Sequence, residues 1–227
     1  MRNFLIDNAL YLVWGISLAE LVLTGVLFSD FRKKHEAVVL CMALVCAGLS
    51  YDAVVIGIGG LVLEPFLAVL SRVRFILHGM LLPLNVAMCA EAIPLYRRGR
   101  IAAWSISGIL MLAGGAAGLM REIGIEHFAG ITRFVNLTDK GNWTEAVNNV
   151  LTYGTVILLV IVGVVILIKH RSPSILLAGV LMFAFSAAAP ATGNADLIFL
   201  TSMLGELLMA LFFTIYEKRH VEEMRYY

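Results

Sequence analysis

Long apolar runs alternate with short polar connections along the whole chain, and seven runs can be counted: residues 9–28, 37–58, 66–93, 101–120, 146–168, 175–189 and 197–216. At about 1.5 Å of rise per residue, a helix of roughly 20 residues matches the hydrocarbon thickness of a bilayer. The pattern predicts an all-α integral membrane protein, a single seven-helix transmembrane domain over residues 1–227. The first run is too long for the core of a cleaved signal and has its positive cluster behind it, so it reads as a retained span.

Breaker residues set the boundaries. Gly59-Gly60 closes the second run, and Glu64-Pro65 opens the third, because proline fits a first helical turn. Inside the third span Gly79 and Pro83 are the expected kink points. Ala103, Ser107, Gly114 and Gly118 keep one side of the fourth span small, which favours close helix packing. Residues 121–149 form the longest polar stretch. Within it residues 128–137 are expected to lie in the membrane interface as a short amphipathic piece, and Asn142 with Glu145 resembles a capping box opening the fifth span. That span is polar at its start (Asn148, Asn149, Thr152, Tyr153) and aliphatic afterwards, and residues 190–196 are expected to turn tightly into the seventh.

Composition agrees: 60% of residues are hydrophobic and 15% charged, with a mean hydropathy of +0.90. Too little polar surface is left for a soluble globule. A net charge of +1 excludes a nucleic-acid partner chosen by bulk charge. The basic residues instead mark the cytoplasmic side. With the N-terminus outside and the C-terminus cytoplasmic, Arg32, Lys33, Lys34, Arg97, Arg98, Arg100, Lys169, Arg171, Lys218, Arg219 and Arg225 fall inside, eleven of the 17 lysines and arginines. The plasma membrane is the expected location, and oligomeric state has no signature in the sequence. Cys41, Cys46 and Cys89 all lie in spans and form neither a disulfide framework nor a zinc motif.

Candidate chemistry concentrates on the third span. Arg74, His78, Asn85 and Cys89 follow at i, i+4, i+11 and i+15, one polar stripe that must face other helices or a cavity. Asp52 in the second span, Glu20 in the first and Glu206 in the last reach similar depths. An unpaired charge at the bilayer centre costs on the order of 3 kcal/mol on insertion scales, so these groups are expected to pair or to line water. The preferred pairing is Asp52 with Arg74, His78 adjoining and Glu206 facing it. Glu20 and Glu206 have no partner on their own helices and are proton-carrier candidates. Plainer roles exist for each: Arg72 snorkelling to the interface, Asp52 with Arg74 as a structural pair, His78 as a satisfied core residue, the cysteines as packing. One deep histidine makes no metal site. Asn136-Leu137-Thr138 and Asn142-Trp143-Thr144 are glycosylation sequons on the expected outer loop.

The segment from Arg74-Phe75 to Pro83-Leu84, with the outside-to-inside seven-span order, resembles the third helix of microbial rhodopsins over a dozen residues. The last span has no lysine for a retinal Schiff base, so retinal is not expected and no cofactor is predicted. Sugar transporters of three-plus-one-plus-three design carry prolines in the first and fifth spans, which are absent here, and an intramembrane zinc hydrolase needs more histidines than His78. Two functions follow from the residues. One is a bundle that binds or transports a small polar or amphipathic molecule in a cavity lined by Asp52, Arg74, His78, Asn149 and Tyr153, with Glu20 and Glu206 for gating or proton coupling. The other is an intramembrane enzyme acting on a lipid, its candidate catalytic residues His78, Asp52 and Glu206, with Arg74 holding the headgroup and water or Ser202 as nucleophile. A purely structural or partner-binding role would leave the polar stripe unexplained.

Overall fold

The computed structural model describes residues 6–93, 95–137, 141–192 and 198–224. Its main helices are α1 (Ala9–Lys34), α2 (Ala37–Ile58), α3 (Glu64–Leu81), α4 (Leu84–Ala92), α5 (Arg97–Met120), α6 (Trp143–Asn149), α7 (Thr155–His170), α8 (Ser174–Thr192) and α9 (Ile198–Met224). Among the described residues six helical segments are long and apolar enough to cross a membrane, and the apolar stretch of α8, Ser174–Ala187, is shorter.

α3 and α4 form one segment broken at its proline. Pro83 has no N–H to continue the ladder, and the helix restarts at Leu84. Ser107 of α5 donates to the Pro83 carbonyl at 2.9 Å and so satisfies an acceptor at the break. Gly79 is not a second kink. It lies inside α3 and meets α5 backbone to backbone, since a Cβ on Gly79 or Gly114 would collide with the other's carbonyl oxygen, and one on Gly118 would lie 2.5 Å from the Phe75 oxygen. The expected small face of the fourth span is therefore this contact.

α1, α2, α3 with α4, α7, α8 and α9 form a ring that closes where α9 meets α1, and α5 braces α3 and α4. α1 and α9 run in the same direction. Ala9, Val13 and Ile16 at the start of α1 cluster with Phe199, Leu200 and Met203 at the start of α9. At their far ends Lys34 pairs with Glu217, and Lys218 with Asp30.

Residues 128–137, expected as one short amphipathic piece, are extended and turn back on the preceding residues. They contribute the second strand of an antiparallel hairpin, β1 (Ile123–Phe128) and β2 (Ile131–Asn136), with Ile123 opposite Asn136 and Phe128 opposite Ile131. Ala129 and Gly130 at its tip have φ of 49° and 77°, the left-handed conformation that tight turns need and that glycine adopts freely. Ile-Thr-Arg-Phe-Val is rich in β-branched and aromatic residues, which suit a pleated strand. The hairpin lies over the bundle: Ile131 is buried among Val13, Ile56 and Phe199, and Phe128 meets the Phe199 ring edge-on at 5.7 Å. Arg133 stacks 4.0 Å from the Phe199 ring centre and pairs with Glu126. Burial presses the Arg133 guanidinium below its ordinary pKa, and the Glu126 carboxylate opposes that shift.

The capping motif holds in a modified form. Asn142 accepts from the Thr144 N–H at 3.3 Å, and Glu145 reaches back to the Gly141 N–H at 2.6 Å. Residues 190–192 continue α8, while the remainder of the expected turn into the last span, Thr138 of the first sequon and Arg225 lie outside the described residues.

Candidate functional site

A cavity of about 260 Å³ lies inside the ring below the hairpin. α2 supplies Asp52; α3 supplies Arg74, Phe75 and His78; α4 supplies Asn85; and α9 supplies Ser202, Glu206 and Met209. Arg121, at the α5–β1 junction, and Asn148 with Thr152 complete its polar wall.

Arg74 and Asp52 meet as the sequence suggests. Arg74 Nε lies 2.9 Å from Asp52 Oδ1, at an angle that makes an ion pair without a hydrogen bond. Arg74 Nη2 donates to the Phe134 carbonyl of β2 at 2.9 Å, and Nη1 has no hydrogen-bond partner among the described residues. Arg121 donates to Asn148 and faces the Phe75 ring at 5.2 Å. Burial and the nearby Arg74 charge lower its pKa from the usual arginine value, and it stays protonated. Among the described residues no carboxylate pairs with it. Among the described residues the cavity therefore has one cation paired with a carboxylate and one, Arg121, held by the Asn148 amide and the Phe75 ring without a carboxylate.

Asn85 is fully buried, and neither its amide nitrogen nor its carbonyl oxygen has a hydrogen-bond partner among the described residues. A buried polar group without a partner costs about 1–3 kcal/mol, so an orphan amide on a cavity wall marks a place where a ligand atom gains more than elsewhere.

The other expected residues divide. Glu206 lines the cavity; Glu20 does not, although it is fully buried on α1 with both carboxyl oxygens unpartnered among the described residues. Glu20, Asp52 and Glu206 nevertheless interact electrostatically. Ser17 and Thr24 share the buried face of Glu20, and Thr24 is linked to Ser50 of α2 at 2.8 Å.

Asn149 and Tyr153 do not line the cavity. Both are exposed, and Asn148 and Thr152 occupy the wall instead. The inward face of this segment runs through Thr155, Val156, Leu159, Val162 and Ile166, all buried, whereas Val150, Tyr153, Ile157 and Ile161 point outward. Both faces are equally aliphatic, so composition could not orient the helix. A π turn at Val150–Gly154 also interrupts the regular 3.6-residue period there.

Arg72, off the stripe, donates to the Leu119 and Arg121 carbonyls at the end of α5. Sequence reasoning misses Arg121 because it stands at a predicted span end, where arginine is ordinary; only the folded chain brings it back over the cavity. Among the described residues no group of three or more His, Cys, Asp or Glu side chains is arranged to hold a metal ion. No protein-family model and no curated protein sequence matches the chain.

Proposed function

We propose that this chain is a seven-span protein of the plasma membrane, its N-terminus outside and its C-terminus cytoplasmic, whose central cavity binds or transports a small polar or amphipathic molecule. One observation carries the reading: the cavity wall holds the Asn85 amide and Arg74 Nη1, both without a partner among the described residues, beside Arg121. A wall built only for packing has no use for such groups. The parallel course of α1 and α9 supports an odd number of crossings. Lys33, Lys34, Arg100 and Lys218 gather at the end opposite the hairpin, which supports the orientation. Glu206 at the cavity and Glu20 behind it are the groups through which proton coupling would run, and Glu20→Gln would then uncouple uptake from a proton gradient without abolishing binding.

The test is the unfolding midpoint of wild type and His78→Ala across a panel of lipids, polar metabolites and divalent metals, followed by mass spectrometry of each mixture. Stabilisation by an unchanged compound, lost in the variant, supports binding. No stabilisation by any compound overturns the proposal.

A second reading rests on Ser202. It lines the same cavity as His78, Asp52 and Glu206, which gives an intramembrane lipid hydrolase a nucleophile, an acid–base group and an orienting carboxylate. A converted lipid in those mixtures, absent with Ser202→Ala, would establish that enzyme.

A further inference from the structure

The central cavity shares two lining residues with a second hollow. Thr152 and Val156 line the cavity from within and also line this hollow, of about 180 Å³, on the membrane-facing side, together with Tyr153, Phe183, Ser186 and Ala187. Val156 and Phe183 in turn border a third hollow of about 320 Å³, whose other walls are Ile157, Val160, Ile161, Val180 and Ala184. Shared lining residues thus connect the charged centre of the bundle, hollow by hollow, with the groove between α7 and α8.

The packing of these two helices explains why the groove exists. Towards their connection they are in close contact: a Cβ on Gly163 would lie 2.5 Å from the Leu176 Cα, and one on Gly179 would lie 3.0 Å from the Val160 backbone nitrogen. Towards the hairpin end no glycine among the described residues makes such an approach, the π turn widens α7, and bulky Phe183 stands beside the gap. Helices pinned at one end and separated by side chains at the other leave a wedge open to the bilayer.

Resting on the cavity reading above, we propose that the ligand is a single-chain amphiphile with a carboxylate head, which reaches the cavity sideways from the bilayer between α7 and α8. Its head meets Arg121, and its tail lies in the α7–α8 groove. Charge complementarity selects the head, because Arg121 is the cavity cation without a carboxylate among the described residues. A planar carboxylate also suits the fork of a guanidinium. The groove selects the tail: the larger hollow is walled entirely by aliphatic and aromatic side chains, and it borders Ile157, Ile161 and Phe183, which are half exposed on the lipid side. The polar hydroxyl of Thr152 stands at the threshold, where head gives way to tail.

The experiment uses the full chain in phosphatidylcholine nanodiscs, with palmitate, hexanoate and hexadecanol as probes and the unfolding midpoint as readout. A diazirine-bearing palmitate maps contacts. Palmitate is expected to raise the midpoint, hexadecanol to do so far less, and the cross-links to fall on α7 and α8. Ala184→Trp, which fills the groove at an exposed position away from the cavity, should weaken the response to palmitate by about tenfold or more, the equivalent of about two tail methylenes displaced from the groove. The unliganded midpoint of this variant reports whether it folds, and Ala187→Trp is the second plug.

Palmitate acting equally on wild type and both plugged variants, or hexadecanol matching palmitate, overturns the proposal. If hexanoate or a polar metabolite stabilises the protein as well as palmitate does, the lateral route falls and the cavity reading stands. If nothing in either set of compounds acts, both fall.

Discussion

Arg74 donates from Nη2 to the carbonyl oxygen of Phe134 at 2.9 Å, so a guanidinium of the third span holds the backbone of the hairpin that covers it. The same side chain keeps Nε 2.9 Å from Asp52. One residue therefore connects the cavity charge to the cover.

Removing Arg74 should have two effects and removing its partner only one. Asp52→Asn leaves a cation with less compensation and is expected to destabilise the fold by up to about 3 kcal/mol, at the low end for a buried pair because the Asp52 side chain is 17% exposed. Arg74→Ala should in addition loosen the hairpin. Hydrogen exchange read peptide by peptide separates them: residues 123–136 should lose protection in Arg74→Ala and keep it in Asp52→Asn. Equal protection in both would mean that Ile131, Phe128 and Arg133 hold the hairpin without Arg74.

The backbone contact between α3 and α5 gives a second expectation. Gly114→Ala places a methyl group against the Gly79 carbonyl and Leu151, which only a shift of a whole helix relieves, and overpacking of this kind typically costs about 1–3 kcal/mol. Gly108, on the same helix, has nothing within 4 Å of the place a methyl group would take, and Gly108→Ala should be neutral or stabilising by up to about 1 kcal/mol. Unfolding midpoints of the two variants in one detergent test the contrast. A matching loss in both would place the cost in helix propensity or lipid contact.

These two cases also show what the sequence could and could not reveal. The small face of α5 was legible because glycine and serine at helical spacing have few uses other than close approach. The Asp52–Arg74 pair was legible because two opposite charges at similar depth have few alternatives in hydrocarbon. The hairpin was not: residues 123–136 carry charge and turn chemistry compatible with an interfacial segment, and their strand pairing is decided by the bundle surface under Ile131 and Phe128. The inward face of α7 was hidden for a different reason, since valine, leucine and isoleucine on both sides give no polar contrast, and lipid and protein interior are equally apolar. Hence the sequence points to Asn149 and Tyr153 where Asn148 and Thr152 stand.

At the end opposite the hairpin, Lys34 of α1 compensates Glu217 of α9, whose side chain is only 1% exposed. Lys34→Met is expected to cost on the order of 3 kcal/mol, because it leaves a buried carboxylate poorly paired, Lys218 lying 3.9 Å away. The double variant Lys34→Met with Glu217→Met should recover most of that loss by removing the orphaned charge as well. A double-mutant cycle on unfolding midpoints measures the coupling. Additive losses would show that the two side chains act independently and that Asp30 with Lys218 joins the helix ends unaided.

Asn85 offers the sharpest separation of stability from function. Its amide is fully buried on the cavity wall, and both polar atoms lack partners among the described residues. Leucine has the same branched shape without a polar atom, and the adjoining cavity can take its larger methyl groups, so Asn85→Leu should remove an unsatisfied group and raise the stability of the empty protein by about 1–3 kcal/mol. A residue retained for packing alone would be improved by that change at no loss. If the cavity is a binding site, the same variant should lose the stabilisation that a ligand confers on wild type, so that the two proteins converge or cross in midpoint as ligand is added. Asn85→Leu unfolding earlier than wild type without ligand would mean that the amide is already satisfied in the folded protein. A midpoint raised with ligand response intact would place the binding determinants on Arg74 and Arg121 rather than on α4.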